Sequence, residues 1–349
     1  EEWQFFEYTF DVNNPVLGGA WVNNANNKTA TTVYLDNWQI YDASDSILND
    51  EIAYNDYPIE PVSFTAVKLN DKFWAPRIVQ NQEITIPVAL NQCYITGRVD
   101  NFKKAAGLIP GYFSTENTFD DTDIYKILEG VSYSIQNVPN AALEQEMETL
   151  IKLIGLAQED DGYIFTARTA ADPGNLHRWL GTNRWEKTPD LSHELYNCGH
   201  LYEAAYAHYN ATGKTTLLDI ATKSADLLVK DFLMGGLTFE PGHQIVEMGL
   251  VKLYRITGKK EYLELAKYFL DLRGTKGIMR NEYSQSNLPV VKQSEAVGHS
   301  VRAVYMYSGM ADVAAMTSNS AYVSAINTIW ENVVEKKYYI NGGIGAKHH

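Results

Sequence analysis

The sequence predicts a mainly α-helical fold, a barrel of helical hairpins, preceded by a short β-rich segment. From about Val67 onward, apolar residues recur at helical spacing over nine stretches: 77–97, 120–137, 139–158, 191–211, 214–232, 243–256, 259–273, 298–317 and 319–336. Similar joints, a Thr followed by Gly or Ser and then Lys or Asn, separate three pairs of these stretches at Thr212, Thr257 and Thr317. A glycine there suits a left-handed helix end, so each pair is predicted to be an αα-hairpin.

Residues 1–45 differ from the rest of the chain. They contain short aromatic and β-branched runs separated by Asn, Gly and Pro, which are strand and turn signals. The stretch from Thr31 to Tyr41 resembles the closing strands of a laminin-G-like, concanavalin-type sandwich. A two-sheet sandwich needs roughly 100 residues, so we expect a partial module or an appendage. Residues 46–63, which are acidic and contain Pro58 and Pro61, are predicted to be a linker, and 64–349 the helical domain.

Composition excludes several classes of function. Of 349 residues, 45% are hydrophobic, but no apolar run approaches the roughly 18 residues that span a bilayer, so membrane insertion is not expected. The 43 acidic and 29 basic residues give a net charge of -14, which repels nucleic acid. The two cysteines, Cys93 and Cys198, are too few for a disulfide framework or a four-cysteine zinc site, and we expect both to be small core residues.

Histidines are the first candidates for a functional site. His193, Asn197 and His200 stand at i, i+4 and i+7, so they are predicted to share one helix face that points into a cavity. His193, His243 and His299 fall near the N-terminal ends of alternate helices, and a toroid would bring those ends to one mouth. The competing interpretation of any single histidine is a core or capping residue.

Carboxylates and aromatic residues form the second set of candidates. An acid and base pair for glycosidic chemistry could come from the acidic residues Asp120, Asp121, Asp123, Glu159, Asp160, Asp161, Glu194 and Glu295. An Asp at a helix start is also explained by capping alone. Trp179 and Trp185 lie beside arginines in the loop before His193, and stacking aromatics with short acids are typical of a sugar site, although core packing explains each aromatic singly. Further candidates for substrate binding are Asp121, Asp123, Tyr163 and Glu194.

Several strings together resemble one family. They include FDDTDIYKILEGVSYSI, SHELYNCGHLYEAAYAHYNATGK, GHQIVEMGLVKLYRITGKKEYLELA, GHSVRAVYMYSG and YYINGGIGAKHH. From about residue 64 to the end, the chain resembles the bacterial β-L-arabinofuranosidases of glycoside hydrolase families 127 and 146. The resemblance implies an (α/α)6 barrel, secretion or a periplasmic location, and retaining hydrolysis of β-L-arabinofuranosyl units of plant oligosaccharides. It also implies that His193, His243 and His299 line the sugar subsite.

The resemblance has one departure. In the family, a zinc-held cysteine thiolate is the nucleophile and a glutamate is the acid/base, and zinc keeps the thiol ionised. Those motifs follow the Gly-Gly-Ile-Gly segment, and this chain ends at His349 before them, while Cys93 and Cys198 fall at no family zinc position. We therefore expect a C-terminally incomplete barrel with no catalytic residue and no bound metal, zinc being expected for the full-length enzyme. Six hairpins need twelve helices, of which nine are predicted.

Two alternatives stay open from the sequence. One is a non-catalytic carbohydrate-binding protein that uses the remaining subsite for an arabinose-containing oligosaccharide. The other is a different barrel chemistry, such as hydration of unsaturated glycuronides, with Asp121 or Asp161 as acid or base.

Overall fold

The computed structural model describes residues 56–278 and 280–345. In this part of the chain all regular structure is helical. The predicted β-rich segment 1–45 and residues 46–55 of the predicted linker lie outside the described residues. None of the described helices combines the length and apolar character needed to cross a membrane.

The helices follow the predicted stretches closely. The first two, α1 (Trp74–Gln80) and α2 (Ile86–Ile95), are continuous through a π-helical turn at Asn81–Thr85. Pro87 follows that turn, and a proline inside a helix removes one backbone hydrogen bond, which accounts for the local change of pitch. The others are α3 (Arg98–Ala105), α4 (Asp121–Asn137), α5 (Ala141–Ala157), α6 (Thr166–Thr169), α7 (Glu194–Thr212), α8 (Thr216–Leu228), α9 (Val246–Thr257), α10 (Lys260–Leu272), α11 (Ser300–Thr317) and α12 (Ser320–Lys336).

Consecutive long helices form hairpins in two layers. The pairs that pack on each other are α2 with α3, α4 with α5, α7 with α8, α9 with α10, and α11 with α12. The first members of these pairs contact one another in chain order, α2 to α4 to α7 to α9 to α11, and make an inner row. The prediction of a mainly helical, hairpin-built fold is therefore confirmed.

Counted over the described residues, with α1 and α2 as one continuous helix, the predicted number of helices is too low by two, because α3 and the four-residue α6 were missed. Of these, α3 pairs with α2 and completes a fifth hairpin among the described residues. This helix is short and carries charged residues on most of its surface. Only Val99, Asn101 and Phe102 are buried, so its apolar periodicity is too brief to detect.

The hairpin joints are built as predicted. Gly213 and Gly258 end α7 and α9 with φ of 70° and 69°, and Ser318 ends α11 with φ of 51°. The Thr212 hydroxyl donates to the carbonyl of His208 at 2.8 Å, and the backbone N–H of Lys214 donates to that hydroxyl at 3.1 Å. The threonine thus satisfies both a terminal carbonyl and the first N–H beyond the glycine.

Helices α7 and α9 approach closely where two glycines face the neighbouring helix. A side chain on Gly199 would place its Cβ 2.7 Å from the backbone nitrogen of Val246, and one on Gly249 would lie 2.9 Å from Cβ of Tyr202. Both distances are shorter than van der Waals contact, so glycine is required at both positions. The approach brings the N-terminal ends of α7 and α9 together.

The inner helices run in parallel. Residues near their N-terminal ends meet one another, as described below, and residues in their C-terminal halves meet as well. Lys252 of α9 pairs with Glu203 of α7. At the same end, Arg255 donates to Asp56 at 2.8 Å, so part of the predicted linker that the structure describes packs on the helical domain.

Candidate functional site

Three histidines meet where the inner helices begin. His193 and His299 are the N-cap residues of α7 and α11, and His243 lies three residues before α9. The ring centroids of His193 and His243 are 5.9 Å apart, and those of His243 and His299 are 5.8 Å apart. We call His193, His243 and His299 the histidine cluster; the structure brings together the three histidines singled out by their sequence contexts.

Glycines allow the loops that carry two of these histidines to pack against other backbone. Gly298 has φ of 72°, and a Cβ there would lie 1.9 Å from the carbonyl oxygen of Glu282. A Cβ on Gly242 would lie 2.4 Å from the carbonyl oxygen of Thr188. Each of these glycines immediately precedes a cluster histidine. The positions of His243 and His299 therefore depend on the absence of a Cβ at the preceding residue.

Backbone contacts fix the tautomers of the cluster. Nδ1 of His193 bonds the carbonyl of Leu191, and Nδ1 of His243 bonds the carbonyl of Gln244 at 2.9 Å. A carbonyl only accepts, so both rings carry their proton on Nδ1 and leave Nε2 as an acceptor. His299 is the opposite case, because its Nδ1 accepts the backbone N–H of Arg302 at 3.4 Å, which leaves its proton on Nε2.

His193 and His243 are uncharged near neutral pH. Burial lowers the pKa of His193 to about 4 and that of His243 to about 2, and the nearby positive charge of Arg302 acts in the same direction. Neutral imidazoles each offer one donor and one acceptor. Such groups suit hydroxyls better than they suit phosphate or carboxylate.

Aromatic rings form one wall beside the cluster. The ring of Phe119 lies 4.9 Å from that of His193, and Trp179 stacks on Phe119 with the two ring planes 17° apart. Tyr196 lies between the histidines, with its ring centroid 4.4 Å from that of His243. The site therefore combines apolar ring faces with neutral polar atoms, the usual composition of a small-molecule pocket.

Deeper among the inner helices, a further histidine has no hydrogen-bond partner among the described residues. The His200 ring lies 4.6 Å from Tyr196 and 5.9 Å from Tyr305, and both of its nitrogens are buried and unbonded. Burial lowers its pKa to about 3. A buried, unpaired imidazole directly behind Tyr196 is costly, and such groups often mark functional sites.

Two of the predicted carboxylates are engaged by other residues of the protein. Asp121 is fully buried and accepts the backbone N–H of Thr166 at 2.8 Å as well as its hydroxyl, and burial raises its pKa to about 7. Asp123 pairs with Arg98. Asp121 therefore joins the start of α4 to the short helix α6, and Asp123 joins α4 to α3.

Glu194 and Tyr163 belong to a buried hydrogen-bond network behind the cluster. The Glu194 carboxylate accepts the hydroxyl of Tyr163 at 2.7 Å, the backbone N–H of Trp185 at 3.0 Å and the hydroxyl of Ser192 at 2.9 Å, with Thr188 at 3.3 Å as a fourth donor. These contacts fix the segment that precedes His193. Glu194 thus has a structural role: both oxygens of its carboxylate accept hydrogen bonds from within the protein.

Three further acidic candidates, Glu159, Asp161 and Glu295, form ion pairs near the surface. Arg184 bridges Glu159 and Asp161, and Lys337 pairs with Glu295 at 2.9 Å. Of the two acids proposed for a different barrel chemistry, Asp161 is thus engaged by Arg184, and Asp121 is engaged by Thr166.

Sequence reasoning missed part of the site. Asn197, expected on the same face as His193 and His200, instead donates from its side chain to the carbonyl of His193 at 2.8 Å. Tyr196 occupies that face, because His193 precedes the helix with φ of 62° and does not follow helical spacing. Phe119 and Arg302 were not predicted. The signal for Tyr196 was its separation of three residues from His193 and four from His200.

The described residues do not fit a zinc-thiolate centre. Cys93 and Cys198 are both buried, and burial raises the pKa of their thiols to about 11 and about 12. Over 56–278 and 280–345, no group of three or more His, Cys, Asp or Glu side chains is placed to hold a metal ion. No catalytic step is therefore derived through zinc in this part of the chain.

These features define a class of protein, a fold of helical hairpins with a cluster of histidine and aromatic side chains at the N-terminal ends of its inner helices. The chain belongs to glycoside hydrolase family 127, since residues 66–349 match the family model "Beta-L-arabinofuranosidase, GH127 catalytic domain". Its resemblance to that family is thereby confirmed.

Individual relatives agree with this assignment. A non-reducing end β-L-arabinofuranosidase of Bifidobacterium longum subsp. longum is 31% identical over 277 residues, covering 72% of this chain and 40% of the relative. A solved GH127 β-arabinofuranosidase is 52% identical with a TM-score of 0.79, covering 84% of this chain and 46% of the other. A GH127 β-L-arabinofuranosidase from Geobacillus stearothermophilus T6 is 37% identical with a TM-score of 0.73, covering 81% and 47%. The chain thus spans less than half the length of these relatives.

Proposed function

We propose that this chain binds the terminal β-L-arabinofuranosyl residue of an arabinose-containing oligosaccharide through His193, His243 and His299. The binding serves a β-L-arabinofuranosidase that hydrolyses that residue with retention. The observation that carries the proposal is the cluster of three imidazoles with assigned tautomers, two of them held neutral by burial. Relatives described as β-L-arabinofuranosidases support the choice of sugar.

The chemistry of the cluster matches a neutral sugar. Acceptor nitrogens on His193 and His243 complement hydroxyl groups, which both donate and accept. The ring of Phe119 beside His193 supplies an apolar surface for the C–H face of a sugar.

The described residues are assigned to binding and orientation of the sugar. Retaining hydrolysis needs a nucleophile and an acid/base. The predicted carboxylates are engaged in contacts within the protein, and both cysteine thiols are buried and un-ionised at neutral pH. We attribute the covalent step of the family reaction to none of these groups, and zinc and a secreted or periplasmic location remain predictions.

Titration calorimetry with methyl β-L-arabinofuranoside tests the binding proposal. We expect the wild-type chain to bind this ligand and to discriminate against the α-anomer. His243→Ala should weaken binding at least tenfold, or about 1.4 kcal/mol, while His243→Gln, which retains polar atoms, should lose less. Unchanged affinity in His243→Ala would refute the assignment.

An assay of L-arabinose release from the same ligand tests the assignment of the described residues to binding. Binding without release is the expected result. Zinc-dependent release would show that one of the groups placed in structural contacts above takes part in the covalent step.

A further inference from the structure

A second aromatic element extends from the histidine cluster. Trp179 lies in the loop before α7, with its ring centroid 6.2 Å from Phe119 and 6.1 Å from His193. Its side chain is only half-buried, whereas Trp185 in the same loop is 3% exposed and donates its indole N–H to Asp231 at 2.8 Å. Trp185 is therefore a core residue, and Trp179 is the tryptophan that borders the site.

The loop that carries Trp179 is held in place by hydrogen bonds. The backbone N–H of Trp179 donates to Nδ1 of His177 at 3.2 Å, and Nε2 of that ring donates to the carbonyl of Glu116 at 3.1 Å. One neutral tautomer of His177 satisfies both bonds. On the other side of Trp179, Arg168 donates to the carbonyls of Gly181 at 3.0 Å and Thr182 at 2.7 Å.

These contacts place a fixed aromatic surface beside the histidine cluster. A half-exposed indole in a loop tied at both ends loses little conformational freedom when a ligand stacks on it. Aromatic faces attract the C–H groups of a sugar ring because the face of the ring carries partial negative charge.

We propose that Trp179 forms a subsite for the second sugar, the residue to which the terminal β-L-arabinofuranosyl unit is linked. The ligand class is a neutral disaccharide or longer oligosaccharide, with the penultimate ring stacked on the indole. This inference rests on the proposed function, because it assumes that the terminal sugar occupies the histidine cluster.

The test compares one sugar with two. Calorimetry on the full chain would use methyl β-L-arabinofuranoside and a panel of disaccharides in which β-L-arabinofuranose is 1,2-, 1,3- or 1,5-linked to L-arabinose. For at least one linkage, we expect the wild-type chain to bind the disaccharide about tenfold more tightly than the monosaccharide. Trp179→Ala should abolish that gain, and it should weaken monosaccharide binding less than it weakens disaccharide binding, because the indole also borders the wall beside His193.

Two further variants control for folding. Trp179→Phe keeps an aromatic face and should retain part of the gain even if Trp179→Ala folds poorly. Trp330→Ala removes an indole of α12 that is 61% exposed, and we expect no change for either ligand.

The outcomes separate the two proposals. If the monosaccharide binds but no disaccharide binds more tightly, or if Trp179→Ala keeps the full gain, the subsite is refuted and the histidine assignment stands. If neither ligand binds the wild-type chain, both proposals fall. Loss of both ligands in His243→Ala, with the disaccharide gain lost in Trp179→Ala, supports both.

Discussion

The two ends of the inner helices hold polar side chains of different kinds. At the N-terminal ends, the histidine cluster is fixed by bonds to backbone, and its members His193 and His243 are uncharged. At the C-terminal ends lies what we call the charged base, Glu203, Lys252, Arg255 and Asp312, whose ionisable groups pair with one another or with residues 56 and 57.

The two ends of the inner helices therefore have different roles: one stabilises the fold, and the other is suited to bind a ligand. In the charged base, the charged groups form ion pairs with one another, and these pairs hold α7, α9 and α11 together. In the histidine cluster, the fixed tautomers of His193 and His243 define Nε2 of each ring as an acceptor before any ligand binds. Polar atoms in the interior of the same helical row thus stabilise the fold at one end and are suited to recognise a ligand at the other.

The largest expected effect comes from breaking the charged base. Lys252→Met leaves the carboxylate of Glu203, whose side chain is 5% exposed, without its cationic partner. We expect a loss of about 3 kcal/mol in the free energy of unfolding near neutral pH, measured by urea denaturation. Sugar affinity should change little, because the cluster lies at the other end of the helices.

A matched double variant checks the cause of that loss. Adding Glu203→Gln to Lys252→Met removes the unpaired charge and should restore most of the stability. A double variant as unstable as the single one would mean that packing of the lysine stem, and not the charge, is responsible.

The second-largest effect is expected from a change in the buried hydrogen-bond network of Glu194, which holds the segment before His193. Glu194→Gln places an amide NH2 group among four donors, since the carboxylate accepts from Tyr163, Trp185, Thr188 and Ser192. We expect a loss of about 2 kcal/mol in stability, with weaker sugar binding because the segment before His193 loosens. Denaturation and calorimetry on one preparation would measure both, and a stable variant with normal affinity would contradict the network's role.

The two ends should respond to pH with opposite sign. The folded-state pKa of His193, about 4, lies below its unfolded value, so its contribution to stability is complete above about pH 6.5 and is lost as the pH falls toward 4. Burial raises the pKa of Glu203 to about 7, so stability declines as the pH rises from about 4.5 to 7. Each contribution is on the order of 1 kcal/mol or more.

Single variants resolve these opposing contributions. His193→Phe should flatten the acid-side loss of stability, and Glu203→Gln should flatten the decline toward neutral pH. Denaturation curves at half-unit pH intervals would measure both slopes, and slopes of the same sign would contradict the contrast between the two ends.

The smallest effect is expected at a hairpin joint that is part of neither the histidine cluster nor the charged base. Thr257→Ala removes a hydroxyl that donates to the carbonyl of Leu253 at 2.7 Å and accepts the backbone N–H of Lys259 at 3.2 Å. Because the joint is near the surface, we expect a loss of about 0.5 kcal/mol. Thermal unfolding should show this small shift with sugar affinity unaltered.

The fold was largely predictable because its signals are local. Apolar spacing located nine of the long helices, and the Thr-Gly-Lys joints at Thr212 and Thr257 predicted hairpins whose hydrogen bonds the structure shows. The exception, α3, buries only three residues. An apolar pattern formed by only three residues cannot be distinguished from the pattern of a loop.

The candidate site was predictable only in part, because it depends on contacts between distant segments. The helix-start positions of His193, His243 and His299 were visible in the sequence. The hydrogen bonds that turn Glu194 and Asp121 inward come from Tyr163 and Thr166, far along the chain, and no spacing rule reveals them. Likewise, only tertiary packing separates the half-exposed Trp179 from the buried Trp185.

The most direct measurement is a nitrogen NMR spectrum of the histidine rings at pH 7, with assignments from single histidine variants, before and after addition of methyl β-L-arabinofuranoside. We predict neutral rings protonated on Nδ1 at His193 and His243 and on Nε2 at His299, with the Nε2 resonances of His193 and His243 shifting as the sugar binds. Charged imidazolium rings, or resonances that do not move at saturating sugar, would contradict the assignment of the histidine cluster to sugar recognition.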